Sequence, residues 1–164
     1  MFRYSRKHDA TLQKLFQLQE ELYHVGARNF LFIDVPPIHR SPAGESKRLL
    51  LQRFQFHTSS VAEHRATSPN ITMSYDNWNA NLHRCARKFH SNHPDATILM
   101  FSSWDTFNNV LDDPEAFGFS HEDRRKFAGK IWVDHLHPSS RMHEIIAKDV
   151  ERFLSEFPPY DISQ

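Results

Sequence analysis

One cysteine, Cys85, is all the thiol this chain has, which excludes an intrachain disulfide framework and any Cys-based metal site. Because Cys85 falls at helical spacing among Trp78, Leu82 and Phe89, it is expected to serve as a small buried hydrophobe. Glycine is almost as scarce: Gly26, Gly44, Gly118 and Gly129 are the whole supply. None belongs to a phosphate-cradling series, and Ala128-Gly129-Lys130 is too short for such a loop. Neither sign of charge dominates, with 20 Lys plus Arg against 20 Asp plus Glu, so no bulk field steers the molecule toward nucleic acid or an anionic membrane. No apolar run approaches the ~20 residues needed to span a bilayer, and Met1 to Asp9 lacks the apolar core of a signal peptide. Internal repeats and low-complexity tracts are also missing.

What is present suits one α/β domain. At 164 residues, with 39% hydrophobic and 24% charged, the chain is long enough to bury roughly 70% of its unfolded surface. From Thr11, the residues Leu12, Leu15, Phe16, Leu22 and Val25 predict a helical face that stops at Gly26. Phe30-Leu31-Phe32-Ile33-Asp34-Val35 follows as a nearly continuous apolar run, expected to be a strand covered on both faces and ended by Pro36-Pro37. Residues 41–70 mix a short helical pattern around Leu49, Leu50 and Phe54 with a polar connector, His57 to Ser60. A second helix is predicted over Tyr75–Phe89, broken by His93-Pro94-Asp95. Ala96 to Phe101 reads as a second buried strand, and Trp104 to Leu111 as a short helix stopping near Asp113-Pro114. Met142, Ile145, Ile146, Val150, Phe153 and Leu154 recur at helical spacing to form the last helix, with Pro138 and Ser139 or Ser140 as its start signals. Two strands make a thin sheet with an uncovered edge and face, so the chain is expected to belong to something larger or to associate through that edge.

The most chemical stretch is Ile131 to Ser140, where Asp134 and His137 stand three residues apart just before the last helix. A turn there lets the carboxylate hold one ring nitrogen of His137 and leave the other to take a proton, which amounts to two thirds of a hydrolytic triad. The competing reading is a helix-cap carboxylate beside a surface histidine. Ser41, Ser102 and Ser103 follow the two strands and could stand in for a nucleophile, although serines there more often cap helices or form turns. His135, His137 and His143, with His90 and His93, raise the possibility of a metal site, but no H-E-x-x-H pattern supports zinc. Asp34 and Asp105 are each open to two readings, a buried hydrogen-bonded carboxylate or a mark of the sheet's active edge. The triplet Asn70-Ile71-Thr72 would accept a glycan in a secreted protein.

Three segments resemble one enzyme group in that group's own order. Gly26-Ala27-Arg28-Asn29-Phe30-Leu31-Phe32-Ile33-Asp34-Val35-Pro36-Pro37-Ile38 resembles the mid-domain strand and double-proline segment of GDSL-type esterases, the SGNH hydrolase superfamily. Asp112-Asp113-Pro114-Glu115-Ala116-Phe117-Gly118-Phe119 is similar to the D-P-x-x-F/Y-G-F segment of its plant and fungal members. Trp132-Val133-Asp134-His135-Leu136-His137-Pro138-Ser139-Ser140 is similar to its final D-x-x-H-P-[ST] block, and the closest flavour is the fungal acetylesterases of carbohydrate esterase family sixteen.

The resemblance implies that Asp134 and His137 are the acid and base of a serine triad acting on acyl esters, among them acetylated carbohydrates, without a cofactor or a metal. It also implies a partial three-layer, flavodoxin-like sheet with flanking helices, residues 1–164 being the C-terminal part of the family domain and the N-terminal strands missing. The family's nucleophile sits in a G-D-S motif and its oxyanion donors in that serine, a glycine and G-x-N-D; none of the four glycines here starts either pattern. An ester hydrolase short of its nucleophile is therefore expected, or else a catalytically inactive relative acting as a binding or interaction module. Relatives in this family are often secreted.

Overall fold

The computed structural model describes residues 3–44 and 70–157, and the helical pattern expected around Leu49 and the connector at His57 lie outside the described residues. Among the described residues the helices and strands are, in chain order, α1 (Arg3–His24), β1 (Asn29–Ile33), α2 (Asn70–Asn92), β2 (Thr97–Phe101), α3 (Ser103–Asp112) and α4 (Ser140–Ser155). The architecture is α/β, mostly helical, around a parallel pair in which Asn29 faces Thr97 and Ile33 faces Phe101. It is compatible with part of an α/β hydrolase-like fold.

Helix α1 begins at Arg3, well before Thr11, because no proline or glycine interrupts the residues between. It ends as expected at Gly26, whose φ of 106° is the left-handed conformation that favours glycine. The amide of Gly26 donates to the Tyr23 carbonyl and that of Ala27 to Leu22, serving carbonyls the helix leaves open. The buried stripe of α1 differs from the expected one. Leu12, Leu15 and Phe16 pack inward with Tyr23, while Leu22 and Val25 face solvent. Counting by helical turns from Leu12 and Phe16 reaches Tyr23, and Tyr23 stacks on His93 at 3.8 Å and meets Phe89 edge-on.

The first core lies between α1, α2 and one face of the sheet, built from Leu12, Phe30, Phe32, Leu82, Ala86, Phe89 and Ala96. Cys85 packs against it only half-buried, opening onto the groove between α1 and α2. Strand β1 was expected to be covered on both faces; its residues instead alternate, with Phe30 and Phe32 buried and Leu31 and Ile33 exposed at 39% and 50%. The reason is an asymmetry of cover. Phe153 of α4 reaches the β2 side of the second face, 5.7 Å from the Phe101 ring, and nothing comparable covers β1 there among the described residues.

A second core joins α3, the long segment 113–139 and α4 through Phe107, Val110, Leu111, Phe119, Ile131, Trp132 and Met142. Its helices start as the sequence predicts. Ser139 rather than Ser140 caps α4, accepting from the Met142 amide, and Ser102 caps α3, accepting from the Asp105 amide. Leu154, expected on the apolar face of α4, is 41% exposed near the end of that helix.

Candidate active site

The ends of β1 and β2 run into a dense knot of polar bonds around Asp34, which is 7% exposed. One carboxylate oxygen accepts from the Ser103 hydroxyl and the Trp104 amide, both at 2.9 Å, and the other accepts from the Ser102 hydroxyl at 2.9 Å. Ser103 Oγ also donates to the Asp34 carbonyl. These bonds tie the end of β1 to the start of α3, where the open amides of a helix favour a negative charge. Of its two readings, Asp34 therefore takes that of a buried, hydrogen-bonded carboxylate. Asp105, one turn into α3, is exposed. The next residue of the chain, Val35, is held by the Asn79 side chain, which accepts from its amide and donates to its carbonyl at 2.9 Å each.

The three serines near the strands are engaged in the same way. Ser102 and Ser103 give their hydroxyls to Asp34, and Ser41, with no exposed surface, accepts from the Gly44 amide. None hydrogen-bonds to His137.

The segment from Ile131 to Ser139 folds back on itself as a short antiparallel loop. Trp132 and Pro138 form an isolated bridge, the Val133 amide donates to the His137 carbonyl at 2.9 Å, and the Ser139 amide donates to Ile131 at 2.8 Å. Its root is anchored in the second core: Ile131 and Trp132 are buried, and the Trp132 indole donates to the Arg124 carbonyl at 3.0 Å. The preceding stretch is closed by Asp123, also buried, which accepts from the Ser120 amide and hydroxyl and from the Lys130 amide. Sequence reasoning passed over this anchor, although Ser120-x-x-Asp123 has the spacing of a capping box.

At the tip of the loop Asp134 divides its two oxygens. Oδ1 accepts from the amides of Leu136 and His137, both at 2.7 Å, which is the Asx turn that the Asp-x-x-His spacing makes available. Oδ2 accepts from Nδ1 of His137 at 2.7 Å. An ionised carboxylate can only accept, so Nδ1 carries the proton, and Nε2 has no hydrogen bond among the described residues. The His137 amide, then its imidazole, then the Leu136 amide all favour the charged carboxylate, holding Asp134 well below the usual carboxylate range. The His137 side chain is 71% exposed, so Nε2 stands open to an incoming group.

Three of the other candidate histidines are engaged elsewhere. His93 Nε2 lies 2.8 Å from Glu20, His90 Nδ1 lies 3.3 Å from the Ala96 carbonyl, and the His135 ring stacks on Phe127 at 4.5 Å. Among the described residues no three of His, Cys, Asp and Glu converge on a common point, and no helix is long and apolar enough to cross a membrane.

The Asp112 to Phe119 motif packs next to this loop, Phe119 sharing the second core with Ile131 and Trp132. Its 3-10 turn (Glu115–Phe117) closes on Gly118, at φ 74°, and the guanidinium of Arg141, from the first turn of α4, lies over the Phe119 ring and donates to the Phe117 carbonyl. Two of the three sequence motifs thus meet at the start of α4.

No protein-family profile matches the chain. It is 26% identical over 141 residues to an acetylesterase of Thermothelomyces thermophilus, an alignment that covers 85% of this chain and 42% of that protein. The chain therefore spans less than half the length of the curated relative it matches, and the match supports a relationship to an esterase.

Proposed function

We propose that the chain is the C-terminal part of a GDSL/SGNH-type ester hydrolase of the fungal acetylesterase kind, with His137 as general base and Asp134 as the residue that orients it. The observation that carries this reading is the 2.7 Å contact from Nδ1 of His137 to Asp134 Oδ2, with Nε2 left open. In the complete domain, Nε2 takes the proton of a serine hydroxyl as its oxygen attacks the acyl carbon. The tetrahedral oxyanion then collapses, the C–O bond to the alcohol breaks, and the imidazolium returns its proton to the departing oxygen. Water, deprotonated by the same nitrogen, releases the acid. Asp134 stabilises the imidazolium through both half-reactions.

The serine and the oxyanion donors belong in this reading to the portion of the domain outside residues 1–164, each oxyanion donor contributing about 3 kcal/mol to the transition state. The engagement of Ser41, Ser102 and Ser103 in structural bonds supports that assignment. So does the 42% coverage of the acetylesterase. The substrate is an acyl ester, with acetylated carbohydrate as the specific class.

The test joins the chain to the coding sequence upstream of Met1 and measures hydrolysis of p-nitrophenyl acetate. Turnover lost in His137→Ala is expected; equal turnover in that variant overturns the assignment. A second reading, a non-catalytic interaction module, is favoured by one observation, the exposure of Leu31 and Ile33 on the bare face of β1. Ester hydrolysis by the 164-residue chain alone that disappears in His137→Ala would sink it.

A further inference from the structure

The root of the Ile131 to Ser139 loop is buried, but its tip is not: Val133, Leu136 and the His137 ring are all largely exposed. Among the described residues one hydrogen bond joins this tip to a distant part of the chain, from the Ala43 amide to the His135 carbonyl at 2.8 Å. His135 is the residue between the Asp134 carboxylate and the amides that carboxylate holds, so its carbonyl fixes the middle of the turn.

What holds Ala43 is itself tightly built. The 3-10 turn Ile38–Arg40 leads into Ser41, which has no exposed surface, and the Ser41 and Arg40 amides donate to Ile38 and Pro37. Gly44 approaches the His39 carbonyl so closely that an added Cβ would clash with its oxygen. Arg40 pins this unit to α3. Its guanidinium donates to Asn108 Oδ1 at 2.6 Å and to Asp112 Oδ1 at 2.7 Å, residues one helical turn apart that present two acceptors to one planar fork.

We infer that Arg40 is a positioning residue for the Asp134–His137 turn, acting through the Ala43 amide and the His135 carbonyl to set where the imidazole stands relative to the strand ends. The chain of contacts runs from α3 through the guanidinium to Arg40 and from the Ala43 amide to the loop tip; these two links are hydrogen bonds, and the backbone of residues 40–43, folded by the turn at Ser41, joins them. The importance of that position rests on the proposed role of His137; the link itself does not.

The test therefore reads geometry rather than turnover, on the 164-residue chain labelled with nitrogen-15. In Arg40→Ala, amide exchange at Ala43, Leu136 and His137 is expected to accelerate on the order of tenfold, while Phe30 to Phe32 in the first core stay unchanged. At about pH 8, where an ordinary imidazole is neutral, the His137 nitrogen shifts should move from the single Nδ1–H tautomer toward a mixture. Arg40→Lys, which keeps the charge but loses the fork, should recover only part of the change. Ala43→Pro removes the donor while leaving the guanidinium contacts in place, and should reproduce the Arg40→Ala pattern at residues 134–137. The inference is overturned if a folded Arg40→Ala leaves those residues unchanged, if exchange accelerates uniformly through both cores, or if Ala43→Pro has no effect on them. Loss of esterase turnover in the upstream-extended protein with these signatures intact would leave the link standing and count against the proposed function instead.

Discussion

Two aspartates stand just past or before a regular element, Asp34 after β1 against the start of α3 and Asp134 in the loop before α4, and they do opposite things with their oxygens. Asp34 is buried, and both oxygens are taken by the Ser102 and Ser103 hydroxyls and the Trp104 amide. Asp134 is at the surface and gives one oxygen to two backbone amides while keeping the other for an imidazole. A carboxylate whose acceptor sites all face its own scaffold is a structural anchor. One whose scaffold needs a single oxygen has the other available for chemistry. The backbone bonds also keep Asp134 ionised and fixed in direction, which is the preorganisation an imidazolium requires.

The sharpest way to test this contrast is turnover in the upstream-extended protein. His137→Ala, and Asp134→Asn, which disturbs the tautomer, are each expected to lower kcat on the order of 10⁴-fold with the fold retained. A loss of tenfold or less would break the comparison by making Asp134 merely another anchor. Asp34→Ala should have the converse signature, a loss of about 3 kcal/mol in urea unfolding, because the Ser102 hydroxyl and the Trp104 amide lose their acceptor and Ser103 keeps only the main-chain carbonyl. Asp134→Ala should shift the same unfolding curve much less.

The faces of β1 offer a milder contrast. Phe32→Ala should cost about 3 to 4 kcal/mol, whereas Ile33→Thr, on the bare face, should stay within about 0.5 kcal/mol; a large loss there would mean that the face is covered. The smallest effect is expected from acid. A folded pKa depressed below the unfolded value of about 3.9 means that the stabilisation is complete above that pH and is lost only as pH falls through the depressed folded value. The Asp134 carboxyl carbon should therefore show no titration step by NMR between about pH 5 and pH 3.

Local signals were legible wherever the physics is local. The end of α1 at Gly26, the caps at Ser102 and Ser139, and the Asp134 to His137 contact each depend on residues within about five positions, and spacing alone shows them. The exposure of Leu22 and Val25 was not legible, because both apolar stripes on α1 satisfy helical periodicity and only the position of α2 selects the one containing Tyr23. The half-burial of Cys85 has the same origin. Strand β1 reads as apolar on both sides, and which side is covered depends on where α1 and α2 pack, since Phe153 of α4 reaches only β2 on the other face.

By itself the sequence determined that an acidic and an imidazole side chain would meet on a turn, since three residues of separation and a helix start leave an Asx turn few alternatives. Tertiary structure decided the rest: that Asp34 would anchor α3 instead of facing a cleft, and that the Ala43 amide would hold a turn 92 positions away along the chain through His135. Bonds of that second kind join residues brought together only after both cores have formed, and no local period or spacing records them.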